Sequence, residues 1–251
     1  MIPVIAAATA REALRSRAFI GLLALFTVLM LLSRLVGWIS STDGHQVTAE
    51  LVMSLQSVIG VLVAVATGTA LVQQEITNKT LYTVLARPLP RWHFVLGKYL
   101  GLAAALAAGQ AAMTALSLAY LALTGAEVQG WLLLGALLTL VEVLIMAAVG
   151  LCWTALSSPL LAAALSLATY ALGHAVSSTP GLIHHISGWK QMLIIAAASL
   201  VPDLGHYTYR SDAVKGLPLP WGELGLALGY GALWIALLVT ITIVVIRRKQ
   251  L

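Results

Sequence analysis

From Leu224 to Ile246 the chain runs 23 residues without an Asp, Glu, Lys, Arg or His, and five further stretches are nearly as apolar. A bilayer core about 30 Å thick takes about 20 apolar residues to cross as a helix. Each stretch is therefore the length of one crossing: about Phe19–Trp38, Leu51–Val72, Phe94–Leu123, Trp131–Leu156, Leu160–Val176 and Leu224–Ile246. The third is long enough to tilt or to project beyond the membrane. None alternates with a period of two, which argues against a lipid-embedded barrel. The expected fold is an all-α integral membrane protein, a single transmembrane domain over residues 1–251 with six transmembrane helices.

Charge excludes the alternative of a soluble globular domain. Only 9% of residues are charged and 60% are apolar, with a mean hydropathy of +0.96, whereas soluble domains carry roughly 25% charged residues. The segment Gln191–Val201 is apolar but too short to span. It is expected to be a re-entrant or interfacial helix within an outer loop over 177–221, leaving the number of crossings even. Lys and Arg concentrate in short cytoplasmic loops. With the N-terminus inside, Arg11, Arg15, Arg17, Lys79, Arg87, Arg91, Lys98, Arg247, Arg248 and Lys249 all fall on the cytoplasmic side, only Arg34, Lys190, Arg210 and Lys215 do not, and both termini are expected in the cytoplasm. The net charge of +5 then belongs to a cytoplasmic rim facing anionic lipid, and no nucleic-acid partner is expected. Arg11, Arg15 and Arg17 precede the first apolar stretch without a small-x-small cleavage site, so that stretch reads as an uncleaved span. The lone Cys152 excludes an intrachain disulfide.

Ahead of the first span, residues 1–17 mix Ile2, Val4, Ile5 and Leu14 with Arg11, Glu12 and Arg15, a pattern suited to a helix in the interface plane or to a frayed basic tail. Between spans two and three lies a cytoplasmic region, 73–93. Leu81, Val84 and Leu85 recur there at helical spacing, so a short amphipathic helix is expected from about Thr77 to before Pro88. Such a helix suits the lipid surface or a groove on a soluble protein.

The run Glu75 to Thr80, then Leu85-Ala86-Arg87-Pro88 with Arg91, then Val95-Leu96-Gly97-Lys98-Tyr99-Leu100-Gly101, resembles the cytoplasmic signature of ABC-2 type transporter permeases, the transmembrane subunits of the type V ABC exporter fold. Ala10-Arg11-Glu12-Ala13-Leu14-Arg15-Ser16-Arg17 resembles that family's elbow helix. Within the family the chain looks closest to the NosY-like, multicopper-enzyme-maturation subgroup; Lys79 departs from the pattern where many relatives have Gly. The resemblance implies a permease in a bacterial inner membrane that forms the translocation path, or a mechanical relay, as a homodimer. Two copies of a separate ABC ATPase would bind ATP and Mg, and an external accessory protein could sit on the 177–221 loop. It also implies a coupling helix, with Leu81, Tyr82, Val84 and Leu85 as the docking face and Glu75, Lys79, Arg87 and Arg91 placing it. The chain itself has no G-x-x-x-x-G-K-[ST] loop for phosphates and no nucleophile elbow or H-E-x-x-H, so no catalytic residue and no bound cofactor are assigned to it.

Three stripes of small residues suit close helix packing, either at a dimer seam or within one subunit. They are Gly60, Ala64 and Gly68 on span two, Gly97 and Gly101 at the start of span three, and Gly225 and Gly229 on span six. Glu142 is the acidic residue near mid-membrane, where an ionisable group is costly; it is expected either to line a substrate path or to be held by Thr139 or Gln110. Arg34, near the outer end of span one, can snorkel or contact an anionic substrate. His184, His185 and His206 lie in the outer loop without a recognised ligand spacing, so no metal site is assigned. The competing functions are a secondary transporter, for which more intramembrane charge and an internal repeat are expected, and a membrane scaffold without an ATPase partner.

Overall fold

The computed structural model of the chain describes residues 2–39, 44–77, 91–125, 130–177, 201–215 and 221–248. Its helices are α1 (Ile2–Arg15), α2 (Arg17–Ile39), α3 (Gly44–Thr77), α4 (Arg91–Leu123), α5 (Trp131–Leu156), α6 (Pro159–Val176), α7 (Arg210–Val214) and α8 (Trp221–Arg248), with a 3-10 turn at Gly205–Tyr207 before α7. Among the described residues there is no strand. The fold is all-α, and six helices, α2 to α6 and α8, are long and apolar enough to cross a membrane.

Local chemistry sets the breaks. Ser16 interrupts the first helical run, and its Oγ accepts the Phe19 backbone N–H at 3.1 Å, capping α2 in the manner of an N-cap serine. Gly125 ends the run after α4 with φ +80°, a left-handed conformation that costs glycine little. Ser158 is extended (φ −70°, ψ 155°) ahead of Pro159. A residue before proline disfavours helix, and proline fits the first helical position, so α5 stops and α6 starts within three residues.

The bundle is built around α3 and α5. Most of α5 is buried along its length, and α3 packs against α2, α4, α5 and α6. By contrast α2 turns Ile20, Leu25, Val28, Leu31, Leu32 and Leu35 outward, the surface a lipid solvent accepts. The shortest span, α6, has 18 residues, a rise of about 27 Å, and buries only Ala162, Ser166 and Gly173. Because lipid gives helices no hydrophobic reason to associate, close backbone approach and polar ties must hold such a bundle. Polar ties bind α5 to its neighbours, among them Tyr99 Oη donating to the Leu144 carbonyl at 3.2 Å and Trp153 Nε1 donating to Thr169 Oγ1 at 3.2 Å.

The N-terminal helix is not a frayed tail. It packs along α4, where a β-carbon at Gly97 would come within 2.8 Å of Ile5 and one at Gly101 would overlap Ala6 and Thr9. At the opposite end of the bundle, residues 201–215 fold back onto the spans. The Leu204 N–H donates to the Gly173 carbonyl at 3.1 Å, and buried Tyr207 donates to the Ala227 carbonyl at 2.9 Å. Residues 191–200 of the expected outer helix lie outside the described residues.

Candidate functional site

Glu142 sits midway along α5 with its side chain fully buried. Its carboxylate accepts a hydrogen bond from Ser57 Oγ of α3 at 2.9 Å, while His174 Nε2 of α6 stands 2.8 Å from the other oxygen. Ser57 Oγ is also 3.4 Å from Tyr170 Oη. A hydroxyl has one proton, so with Ser57 donating to the carboxylate the Tyr170 hydroxyl is the donor of that longer contact. The Tyr170 and His174 rings, one helical turn apart, meet edge to face with centroids 4.7 Å apart. One carboxylate thus gathers three spans.

The partners differ from those expected. Thr139 Oγ1 donates to the Gly135 carbonyl of its own helix at 2.9 Å, the local bond threonine makes in preference to a distant acceptor. Gln110 lies against Gly60, and neither atom of its buried amide has a hydrogen-bond partner among the described residues. His174 and Ser57, absent from the expected set, hold Glu142 instead.

The residue beside Ser57 makes a second junction. Gln56 Nε2 donates to Thr114 Oγ1 of α4 at 2.7 Å, and Ser117 Oγ reaches Gln56 Oε1 at 3.4 Å. Successive residues of a helix point about 100° apart, so Gln56 ties α3 to α4 while Ser57 ties it to α5 and α6. Both are essentially buried.

Residues 202–207 close one side of this centre. Gly173, next to His174, is where Leu204 and the Pro202 carbonyl press in; a β-carbon there would meet both at 2.8 Å. Asp203 caps the turn, its Oδ1 accepting the Gly205 N–H at 2.9 Å while its own N–H donates to Tyr230 Oη of α8 at 2.8 Å. Burial pushes the Tyr207 hydroxyl well above its ordinary value, with Tyr230, Glu142 and Asp203 adding to the effect, so Tyr207 remains a neutral donor.

The remaining candidates are dispersed. Arg34 is exposed and lines a 270 Å³ crevice with Gly37, His45, Thr48 and Thr124. His206 stands 3.6 Å from Asp203 Oδ2 and borders an open 710 Å³ cavity with Tyr209, Asp212, Glu223 and Tyr230. Among the described residues no three His, Cys, Asp or Glu side chains are grouped to hold a metal.

The small-residue stripes divide by environment. Gly60 and Gly68 face α4 and α5 through Gln110, Val143 and Leu102. Ala64, one turn from each, is fully buried in the hydrophobic core. Of the two roles open to Ala64, packing within the subunit is the one its position allows, because a fully covered methyl offers nothing to a second copy. Gly225 and Gly229, in contrast, face open space.

Lys79, Leu81, Tyr82, Val84, Leu85 and Arg87 lie outside the described residues, as do His184 and His185. Glu75 falls in the last turn of α3 and Arg91 opens α4.

Residues 4–179 match a protein-family model described as ABC-2 family transporter protein, well over half of the chain. No curated protein matches it.

Proposed function

The chain belongs to the ABC-2 family of transporter proteins, and we propose that it is the permease subunit of an ATP-driven exporter, acting as a homodimer with two copies of a separate ATPase. The observation that carries this reading is the family match over residues 4–179, which runs from α1 through α6 and includes the whole connection between α3 and α4. ATP and Mg bind in the partner, and this chain contributes no catalytic group.

Charge supports the orientation. Arg11, Arg15, Arg17, Lys98, Arg247 and Arg248 sit toward the α1 end of the bundle, the side that basic residues mark as cytoplasmic. In a bacterial inner membrane both termini then face the cytoplasm. The connection between α3 and α4 docks on the ATPase through Leu81, Tyr82, Val84 and Leu85, with Glu75, Lys79, Arg87 and Arg91 placing it.

The mechanism follows from what α3 touches. This helix leads directly into the connection and packs against α2, α4, α5 and α6. Closure of the ATPases would therefore displace the helix that carries both polar junctions, Gln56 and Ser57, and move its neighbours as rigid bodies. The resemblance of the connection also suggests the NosY-like subgroup, with the outer loop receiving an external partner.

The test is to co-express the chain with the product of the adjacent reading frame and purify through a tag on this chain. Co-elution of two copies of each, with ATP hydrolysis that depends on both, is the expected result. A chain that elutes alone and leaves the ATPase unaffected overturns the reading.

A further inference from the structure

We propose that Glu142 and His174 together form a binding site for a single proton, reached from the bundle end that carries residues 201–215, and that occupancy of this site sets how firmly α6 is held. The proposal stands on the geometry of the pair and does not depend on the transport reading.

Burial provides the first reason. The Glu142 side chain is fully buried, while that of His174 is 25% exposed. His174 lies two residues before Val176, the end of α6, so its imidazole stands between a sequestered carboxylate and the end of that helix. A proton arriving from that side meets the imidazole first, whose Nε2 lies 2.8 Å from the carboxylate.

Charge balance provides the second. With one proton between them, the pair is net neutral, whether written as imidazolium and carboxylate or as imidazole and carboxylic acid. Removing that proton leaves a full negative charge among α3, α5 and α6, and adding a second leaves a positive one; either is costly away from water. The groups facing the carboxylate from the elements packed around it are Ser57 from α3, Tyr170 and His174 from α6, and Tyr207 from the 3-10 turn. Beyond Tyr207, α8 contributes Tyr230 and the turn contributes Asp203 with His206. Of the groups bonded to Glu142, His174 is the one able to carry the compensating charge.

The third reason is what the pair holds. The α6 helix buries only three residues, so its polar ties bear much of its attachment: Trp153 to Thr169 toward one end, and Glu142 to His174 with Ser57 to Tyr170 toward the other. The bond from Leu204 to Gly173 adjoins His174. A change in the charge of the pair is therefore felt both by α6 and by the segment folded over it.

The sign follows. The tie is strongest while the pair holds one proton, weakens as pH rises and that proton is lost, and weakens again when acid protonates both partners. The test is the apparent Tm of the full-length purified protein, with its ATPase if the two co-purify, in nanodiscs from about pH 5 to 9. Wild type should lose roughly 5 °C between its optimum and the alkaline limit. Glu142→Gln, which keeps an acceptor for Ser57 but no titratable charge, should flatten that profile. Should that variant fail to fold, infrared spectra of the wild-type protein over the same pH range, with His174→Gln beside it, provide an independent reading. A carboxyl or imidazole band should change with pH in wild type and be altered in His174→Gln. A purely structural bond would lower the Tm of Glu142→Gln equally at every pH and leave the wild-type bands unchanged, and either outcome overturns the proposal.

Discussion

Gly101 and Ala6 approach so closely that a β-carbon on Gly101 would overlap the Ala6 carbonyl oxygen. The N-terminal helix is thus seated on α4 by the lack of a side chain, with Gly97 admitting Ile5 one turn earlier; further along α4, Gly109 admits Phe19 of α2. In lipid, such close backbone approach is a main source of helix association. Gly101→Val should separate α1 from α4 and cost about 2 kcal/mol or more, the scale of an overpacked core. Thermal unfolding in detergent and faster proteolysis near Arg11 and Arg15 would register the loss; a variant with wild-type melting would show that α1 is not held by this contact.

The third glycine stripe behaves oppositely. A β-carbon at Gly225 or Gly229 meets nothing within 4 Å, and alanine is favoured over glycine inside a helix by about 1 kcal/mol. Gly225→Ala and Gly229→Ala should therefore leave the isolated subunit as stable as wild type or slightly more so. If this stripe is the seam of the proposed homodimer, Gly229→Leu should lower the dimer fraction on a sizing column without lowering the melting temperature of the monomer.

Two glutamines one helix apart should respond differently to the loss of polarity. Gln56 bonds Thr114 and Ser117, whereas the buried amide of Gln110 has no partner among the described residues. An unsatisfied buried polar group costs about 1–3 kcal/mol, and removing one member of a satisfied pair costs a similar amount. Gln110→Met, which nearly conserves volume, should be neutral or stabilising, while Gln56→Met should destabilise. Melting curves of the two variants side by side decide the matter, and equal destabilisation would mean that Gln110 has a partner after all.

These contrasts also mark what could be read from the chain before its structure. The six spans are written in apolar runs, because lipid demands them. Helix ends are not: α3 begins at Gly44, ahead of the apolar run from Leu51, since His45 to Glu50 extend the helix although His45, Gln46, Thr48 and Glu50 break the apolar run. Glu142 declared itself as a buried acid by its position. Its partners did not, because Ser57 and His174 are 85 and 32 residues away and reach it only through packing of α3 and α6 on α5. His174 near a span end looks like an ordinary boundary residue until Tyr170, one turn earlier, is seen to share its face. The small-residue stripes were legible as packing signals, but not which neighbour each one meets. Ala64 lies inside the subunit because α3 is wrapped by four other helices, and Gly97 and Gly101 receive α1 because the turn at Ser16 brings the first helix back along α4.

The segment over the polar centre should open when Gly173 is filled. Leu204 and the Pro202 carbonyl would lie 2.8 Å from an added β-carbon, closer than such atoms are found, so Gly173→Ala must push the segment away from α6. The Leu204 to Gly173 hydrogen bond would go with it, and so would the shielding of His174. Hydrogen exchange at residues 203–208 should rise at least tenfold, equivalent to about 1.4 kcal/mol of local stability, while exchange in α4 stays unchanged.

A final prediction concerns the connection between α3 and α4. If it docks on an ATPase, reversing charge at its ends should uncouple the subunits without unfolding the bundle, since the core around α3 and α5 is built from residues elsewhere. Glu75→Lys and Arg87→Glu should each reduce the ATP hydrolysis of the co-purified complex by about tenfold, the effect of about 1.4 kcal/mol at a charged contact. Insertion and melting of the permease alone should remain as in wild type. The double reversal shows whether the two charges pair with each other or with the partner: recovery in the double variant assigns them to one another, and continued loss assigns them to the ATPase. Full activity in both single variants would remove these two residues from the coupling surface and leave docking to Leu81, Tyr82, Val84 and Leu85, whose replacement by Asp is then the decisive measurement.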